Sequence, residues 1–233
     1  DNKNNYRKKN KYLYCVVNEK IQRAETRSEE ALELINDIVR ISKLKLLDIR
    51  LNDEIDLSEF IIRVIDNFAE SAKDKSVNVM FTDNTIEKKQ IKSDKILLEL
   101  IVSNLMANAI KYCSENGIVA ITLEEKEENI SIEVCDNGIG IPQREIDKIF
   151  EQFYRASNIN KTLHEGTGMG LAIVKEIVEK LGGQIKVVSP SRFTEKDKPG
   201  TSFEILLPYK YKSSAYEIFE VNSEDYLKNE NDL

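Results

Sequence analysis

Asp136-Asn137-Gly138-Ile139-Gly140-Ile141-Pro142 is the stretch on which the fold turns. An alternating apolar run, Asn129 to Cys135, ends on a carboxylate, and two glycines then release the chain. Alone this reads as an ordinary turn. Two further features change the reading. Gly166-Thr167-Gly168-Met169-Gly170 opens a helical run to Leu181, and a helix start led by glycines presents free backbone N–H groups to anions. No Gly-Lys-Ser/Thr follows it, so a phosphate cradle here belongs to a fold other than the Walker type. Upstream, Asn104, Asn108 and Lys111 fall at i, i+4 and i+7 and share one helix face. An amide oxygen is a neutral, hard ligand suited to magnesium, and Lys111 can neutralise phosphate charge. The Asp136 carboxylate can accept a hydrogen bond from an exocyclic amine such as that of adenine, with the glycines admitting the ring. The three features together read as a site for ATP and Mg2+.

The order of elements around them sets the fold class. Asp56 and Glu59 form a helix-capping pair before Phe60, Ile61, Val64, Ile65 and Phe68, which repeat with helical period. Strands are expected at Val77–Phe81 and Gln90–Lys92, then a helix capped by Ser93 or Asp94 and running to about Cys113. A hairpin follows, Gly117–Glu124 and Asn129–Cys135. After the first glycines come a short helix, an irregular stretch from Tyr154 to Glu165, a helix from Gly168 to Leu181, and strands at Gln184–Val188 and Thr201–Leu207. This predicts an α+β two-layer sandwich: a mixed, mostly antiparallel sheet with its helices on one face. A long helix precedes it, with Ala31, Leu34, Ile35, Ile38, Ile41 and Lys45 near heptad spacing, and its apolar seam needs a partner helix. The expected divisions are a frayed start at 1–17, a helix and linker at 18–55, the main domain at 56–208, and an acidic tail at 209–233.

Composition removes several classes of function. With 41 acidic against 34 basic residues the net charge is −7, which disfavours a sequence-independent grip on nucleic acid. No apolar run approaches the roughly 20 residues that span a bilayer, and no signal segment opens the chain. Cys15, Cys113 and Cys135 are odd in number and lack metal-type spacing, pointing to a reducing, cytoplasmic compartment. His164 stands alone and cannot build a metal cluster.

Five segments together resemble the conserved boxes of bacterial sensor histidine kinases. They are Asn104-Leu-Met-Ala-Asn108-Ala-Ile-Lys111-Tyr112, Asp136-Asn-Gly138-Ile-Gly140, Phe150-Glu-Gln-Phe153-Tyr-Arg155, Gly166-Thr-Gly-Met-Gly170-Leu171 and Gly200-Thr201-Ser-Phe203, in the family's order over about residues 56 to 208. The resemblance implies a Bergerat-type ATP fold, shared with gyrase-type topoisomerases and mismatch-repair ATPases. By it, Asp136 binds the adenine amine with Thr201 nearby, and Gly138, Gly140, Ile141, Phe150 and Phe153 are among the ATP-binding residues. Asn108 holds Mg2+ with Asn104 in support. Lys111, Tyr112, Arg155, Gly166, Thr167, Gly168, Met169, Gly170 and Leu171 surround the phosphates, and Phe150 to Glu165 form a mobile lid hinged on Phe150 and Phe153. It further implies a response-regulator receiver domain as partner, a homodimer through the dimerisation helices, and a parent protein that is sometimes anchored in the inner membrane.

One residue bears on the type of reaction. The hydrolysing relatives typically carry a glutamate base where this chain has Asn104, and an amide cannot take a proton from water, so transfer to a protein nucleophile is favoured over hydrolysis. The segment Ala31 to Leu44 resembles the second helix of the family's dimerisation and phosphoacceptor hairpin, but the acceptor helix before it is missing. His164 lacks the acceptor pattern and reads as an exposed lid residue. The chain is therefore expected to be either a fragment cut inside that hairpin, which its start at Asp1 without Met favours, or a natural variant that lacks autophosphorylation; either would bind ATP without phosphorylating itself. A nucleotide-gated interaction module and a topoisomerase-type hydrolase are the rival readings.

Overall fold

The computed structural model describes residues 53–86, 90–159, 166–194 and 198–209, together with 17–43 apart from 19, 26, 29, 30 and 33. The expectations for the frayed start, Lys45, His164 and the acidic tail lie outside the described residues.

Wherever described, residues 17–43 are helical, and residues 34–43 (α1) are the longest stretch of them. Strand β1 (Asp53–Asp56) leads into α2 (Leu57–Asn67) and the short α3 (Ala69–Asp74). Then come β2 (Asn78–Asp83), β3 (Gln90–Ser93), α4 (Lys95–Tyr112), β4 (Ile118–Lys126) and β5 (Asn129–Asp136). A 3-10 helix (Gln143–Lys148), α5 (Gly170–Lys180), β6 (Gln184–Val188) and β7 (Thr201–Pro208) complete the domain. Caps begin the helices where the sequence places them. Asp56 accepts from the backbone N–H groups of Ser58 and Glu59, and Asp94 from those of Ile96 and Leu97, each satisfying donors that a first helical turn leaves unpaired.

The five-stranded sheet runs β2-β4-β5-β7-β6; only the β2–β4 pair is parallel. Alternation decides its faces. Ile130, Ile132 and Val134 of β5 point to the helices and pair across the sheet with Leu207, Ile205 and Phe203 of β7. Leu123 and Ile121 of β4 complete these rows. Against them lie Leu98, Ile101, Val102, Leu105 and Met106 of α4 and Ile173, Val174, Ile177 and Val178 of α5, all buried. The opposite face is polar and tied by side-chain bonds, among them Ser131 Oγ to Glu204 at 2.9 Å and Arg192 to Glu133. The two-layer sandwich is the architecture the pattern predicted.

A second sheet of two strands was not foreseen. β1 pairs antiparallel with β3, Ile55 opposite Ile91, and clasps the start of the domain to the strand ahead of α4. The apolar seam of the leading helix also behaves differently from a simple heptad. Ile41 is buried and Leu34 packs against the core, whereas Ile35 is 57% exposed and Ile38 44%. One side of α1 docks on this domain and the other remains open.

Candidate nucleotide site

The register that fills the core also places the key carboxylate. Continuing the row Ile130, Ile132, Val134 by two residues puts Asp136 on the helix-facing side at the very end of β5, directly opposite Thr201 of β7 and Val119 of β4. It is 4% exposed. Its Oδ1 accepts from the backbone N–H of Gly138 at 2.7 Å and of Thr201 at 3.3 Å. Burial outweighs these two bonds and raises the carboxyl to about 6.

The loop after Asp136 is bound on every side. Ile139 N–H donates to the Tyr112 carbonyl at 3.2 Å, and Gly200 N–H to the Gly138 carbonyl at 3.0 Å. Ser191 Oγ donates to the Asp136 carbonyl and Ser189 Oγ to that of Gly200, while Ile141 N–H donates to Ser189 Oγ. Asn137 is buried, its Oδ1 accepting from Ile118 N–H at 2.8 Å with the Cys113 thiol at 3.2 Å. Cys113 and Cys135 are buried and free, each thiol pushed up by burial, which makes them packing residues.

A cavity of about 440 Å³ opens between this loop, the last turns of α4 and the first turn of α5. That volume lies within the range of small-molecule sites. Its walls bring together Asn104, Asn108, Lys111 and Tyr112 from α4, Asp136, Gly140, Ile141 and Thr201 from the sheet end, and Arg155. Gly166, Thr167, Gly168, Gly170 and Leu171 close the α5 side. The residues read from sequence thus converge on one space, with four outside its walls. Gly138 packs under the loop against Tyr112. Met169 is 1% exposed and belongs to the core. Phe150 stacks edge-on against Phe203 with ring centres 6.5 Å apart. Phe153, expected to pack beside it as a hinge, is instead 54% exposed and sits at a positive φ of 64°.

Within the cavity the polar stripe is oriented by its own helix. Asn104 Nδ2 donates back to the Leu100 carbonyl at 2.7 Å, and its Oδ1 faces Gly170, where a Cβ would stand 2.8 Å away. Lys111 Nζ lies 5.6 Å from the centre of the Tyr112 ring. Burial raises the Tyr112 hydroxyl, with Arg155 partly offsetting the effect. The stretch after the 3-10 helix is anchored from below. Buried Glu145 accepts from the Ser157 N–H at 2.7 Å and the Ser157 hydroxyl at 2.6 Å, bonds that hold its carboxyl down at about 2. Asn158 Nδ2 donates to the Gly140 carbonyl at 2.9 Å, joining this segment to the glycine loop.

Sequence reasoning missed two groups of contacts, because both cross the chain. Lys75, from the turn after α3, donates to the Ile110 carbonyl at 3.0 Å and the Lys111 carbonyl at 2.5 Å, capping the end of α4. No local pattern marks it. Replacing Lys75 with Met is expected to cost about 1–2 kcal/mol, lowering the thermal unfolding midpoint by about 5 °C. Lys75→Arg, which can still donate, should recover most of that loss in the same melting experiment. The second group, Asn36, Asp37 and Arg40, belongs to α1 and lines the cavity from outside the expected domain.

Comparison with known proteins fits this geometry. Residues 93–211, more than half of the chain, match the family of histidine kinase-, DNA gyrase B- and HSP90-like ATPases. The chain belongs to this ATPase family. Sensor histidine kinase WalK of Bacillus subtilis (strain 168) is 35% identical over 189 residues, covering 78% of this chain and 29% of WalK. The chain thus spans about three tenths of the length of that relative. Among solved structures, the mycobacterial sensor histidine kinase MprB superposes with a TM-score of 0.59 at 28% identity, covering 69% of this chain and all of that one. Histidine kinase ThkA, in complex with the response regulator protein TrrA, has the same fold, with a TM-score of 0.61 at 24% identity over 85% of this chain and 51% of that one. The mixed sheet with helices on one face is the architecture of this ATPase family. No helix among the described residues is long and apolar enough to cross a membrane.

Proposed function

We propose that this chain is the ATP-binding catalytic portion of a two-component sensor histidine kinase, working in the cytoplasm. In the whole protein it would transfer the γ-phosphoryl group of ATP to a histidine on a separate helix, for relay to a response-regulator aspartate. The observation that carries this reading is the division of one cavity into two chemistries. A buried carboxylate beside Thr201 stands at one end, and the Asn104, Asn108 and Lys111 stripe faces the glycine-led start of α5 at the other. The first suits an adenine amine and the second a phosphate chain.

Magnesium fits this donor set. Asn108 offers a neutral oxygen next to the Lys111 cation, and Mg2+ needs few protein ligands when water and phosphate oxygens fill its shell. When bound, the ion would neutralise charge developing on the phosphates. The chain's own residues do the rest. Asp136 orients the base, Lys111 and the backbone N–H groups around Gly166–Gly170 hold the phosphates, and Arg155 and Tyr112 flank them. Asn104, an amide already donating to Leu100, cannot take a proton from water, which favours a protein nucleophile. The open side of α1 suits a dimer partner helix in the whole protein, and the ThkA–TrrA complex supports a receiver domain as the downstream partner.

The test is transfer in trans. Labelled γ-phosphate should move from ATP to a separately supplied phosphoacceptor hairpin of a WalK-type kinase, and Asn108→Asp should reduce that transfer at least a hundredfold. Magnesium-dependent ATP binding with no transfer to any acceptor hairpin would favour a nucleotide-gated module instead.

A further inference from the structure

Asp37 is the one residue of α1 whose burial its neighbours do not explain. Ile35, Ile38 and Val39 around it are 44–57% exposed, yet Asp37 itself is 7% exposed. Leu34 and Ile41, three residues before it and four after, pack against the core, so Asp37 shares the docked face of the helix. Its Oδ2 accepts from Thr167 Oγ1 at 2.7 Å, and its Oδ1 stands 3.8 Å from Arg40. Thr167 Oγ1 in turn accepts from Met169 N–H at 3.2 Å, at the N-cap position of α5, which has no side-chain cap of its own. A carboxylate from outside the matched family region is therefore wired to the helix start that would receive an anion.

The position within the cavity is what gives this contact a direction. A Cβ at Gly166 would meet Lys111 Nζ at 2.8 Å, and one at Gly170 would meet Asn104 Oδ1 at 2.8 Å. Thr167 lies between those two glycines, so Asp37 stands at the lysine and amide end, away from Asp136 and Thr201. A nucleotide seated with its base on Asp136 brings its most highly charged part toward Asp37. Two negative groups a few Å apart in a half-enclosed space repel strongly.

Resting on the nucleotide reading above, we propose that Asp37 is a further residue of the site and sets its affinity according to phosphate number. In the ligand-free chain it holds Thr167 and the first turn of α5. Against a nucleotide it acts as a resident anion, weakening ATP more than ADP and ADP more than AMP, so that the docking of α1 and the filling of the phosphate end oppose one another.

Calorimetric titration of the full chain with AMP, ADP and the β,γ-imido analogue of ATP, in magnesium, tests this. Asp37→Asn keeps an oxygen for the Thr167 hydroxyl and removes the charge; Asp37→Ala removes both. Both variants should bind the triphosphate about tenfold more tightly, ADP by less, and AMP within twofold of wild type, with Asp37→Asn melting close to wild type. Unchanged or weaker triphosphate binding in Asp37→Asn would overturn the proposal, as would equal tightening for all three ligands, which a purely structural effect would give. A wild-type chain that binds none of the three sinks the nucleotide reading and this proposal together, whereas wild-type binding that Asp37→Asn leaves unaltered sinks this proposal alone.

Discussion

Asp136→Asn should abolish adenine-nucleotide binding and at the same time make the ligand-free chain more stable. The loss of binding follows from the two hydrogen bonds to Oδ1, and the gain in stability from the burial of the carboxylate. Oδ1 is held by Gly138 N–H and Thr201 N–H, so an amide placed here keeps its oxygen on those donors and turns its nitrogen toward the cavity. A donor then faces the exocyclic amine of the base, itself a donor, and the pairing is lost. The stability effect comes from burial, which raises the carboxyl from 3.8 to about 6. Because the folded chain holds this proton more tightly than the unfolded chain, wild-type stability falls as pH rises from about 4 to about 6, and the loss is complete above that. The neutral amide has no such loss. At pH 7.5 the variant is expected to gain about 3 kcal/mol, read as a higher urea midpoint, with the gain vanishing near pH 4. In wild type, nucleotide affinity should rise as pH passes upward through about 6, since only the ionised carboxylate accepts from the amine. A variant that melts at or below the wild-type midpoint at pH 7.5 would contradict the account, and so would one that still binds ATP.

Gly138→Ala should act in the opposite sense on the fold while also removing binding. A Cβ at this position would stand 2.3 Å from the Tyr112 carbonyl oxygen, 2.7 Å from its carbon and 2.9 Å from Asp136 Oδ1. None of these atoms is the free end of a flexible side chain. The Tyr112 carbonyl belongs to the end of α4 and is engaged by Ile139 N–H, and the Gly138 carbonyl is engaged by Gly200 N–H. Relief therefore requires the loop to leave α4, separating the Asp136 end of the cavity from the Asn108 and Lys111 end. A loss of about 3 kcal/mol or more is expected, measured by thermal or urea unfolding, with no detectable ATP binding in the folded fraction. An alanine variant with a wild-type midpoint would show that the loop and helix are not locked together.

The parts of this site that were legible in the sequence are those whose chemistry is local. Glycines after a strand-ending carboxylate, a polar stripe at helical spacing and a glycine-led helix start each declare themselves within ten residues. Which face Asp136 takes came only with the strand register, whose alternation puts it on the helix-facing side. What escaped detection depends on contacts between distant segments. Lys75 reaches α4 across 35 residues, Asp37 reaches Thr167 across 130, and β1 finds β3 only because the chain folds back after α2 and β2. Met169 shows the converse error. It lies inside a glycine box, yet its side chain turns into the core, because the first turn of α5 needs an apolar anchor as much as it needs free N–H groups.

The place of β7 in the sheet has a consequence for how the protein comes into being. This strand is inserted between β5 and β6, and its first residue is the pairing partner of Asp136. During synthesis, α4, β4, β5 and α5 can emerge and begin to associate, but the sheet keeps a gap in its middle until residues through Pro208 have left the ribosome. The Asp136 end of the cavity cannot exist before then. ATP, abundant in the cell, would meet this chain only as a finished domain, and a nascent chain stalled before Thr201 would expose one edge of β5 and leave β6 with no partner strand.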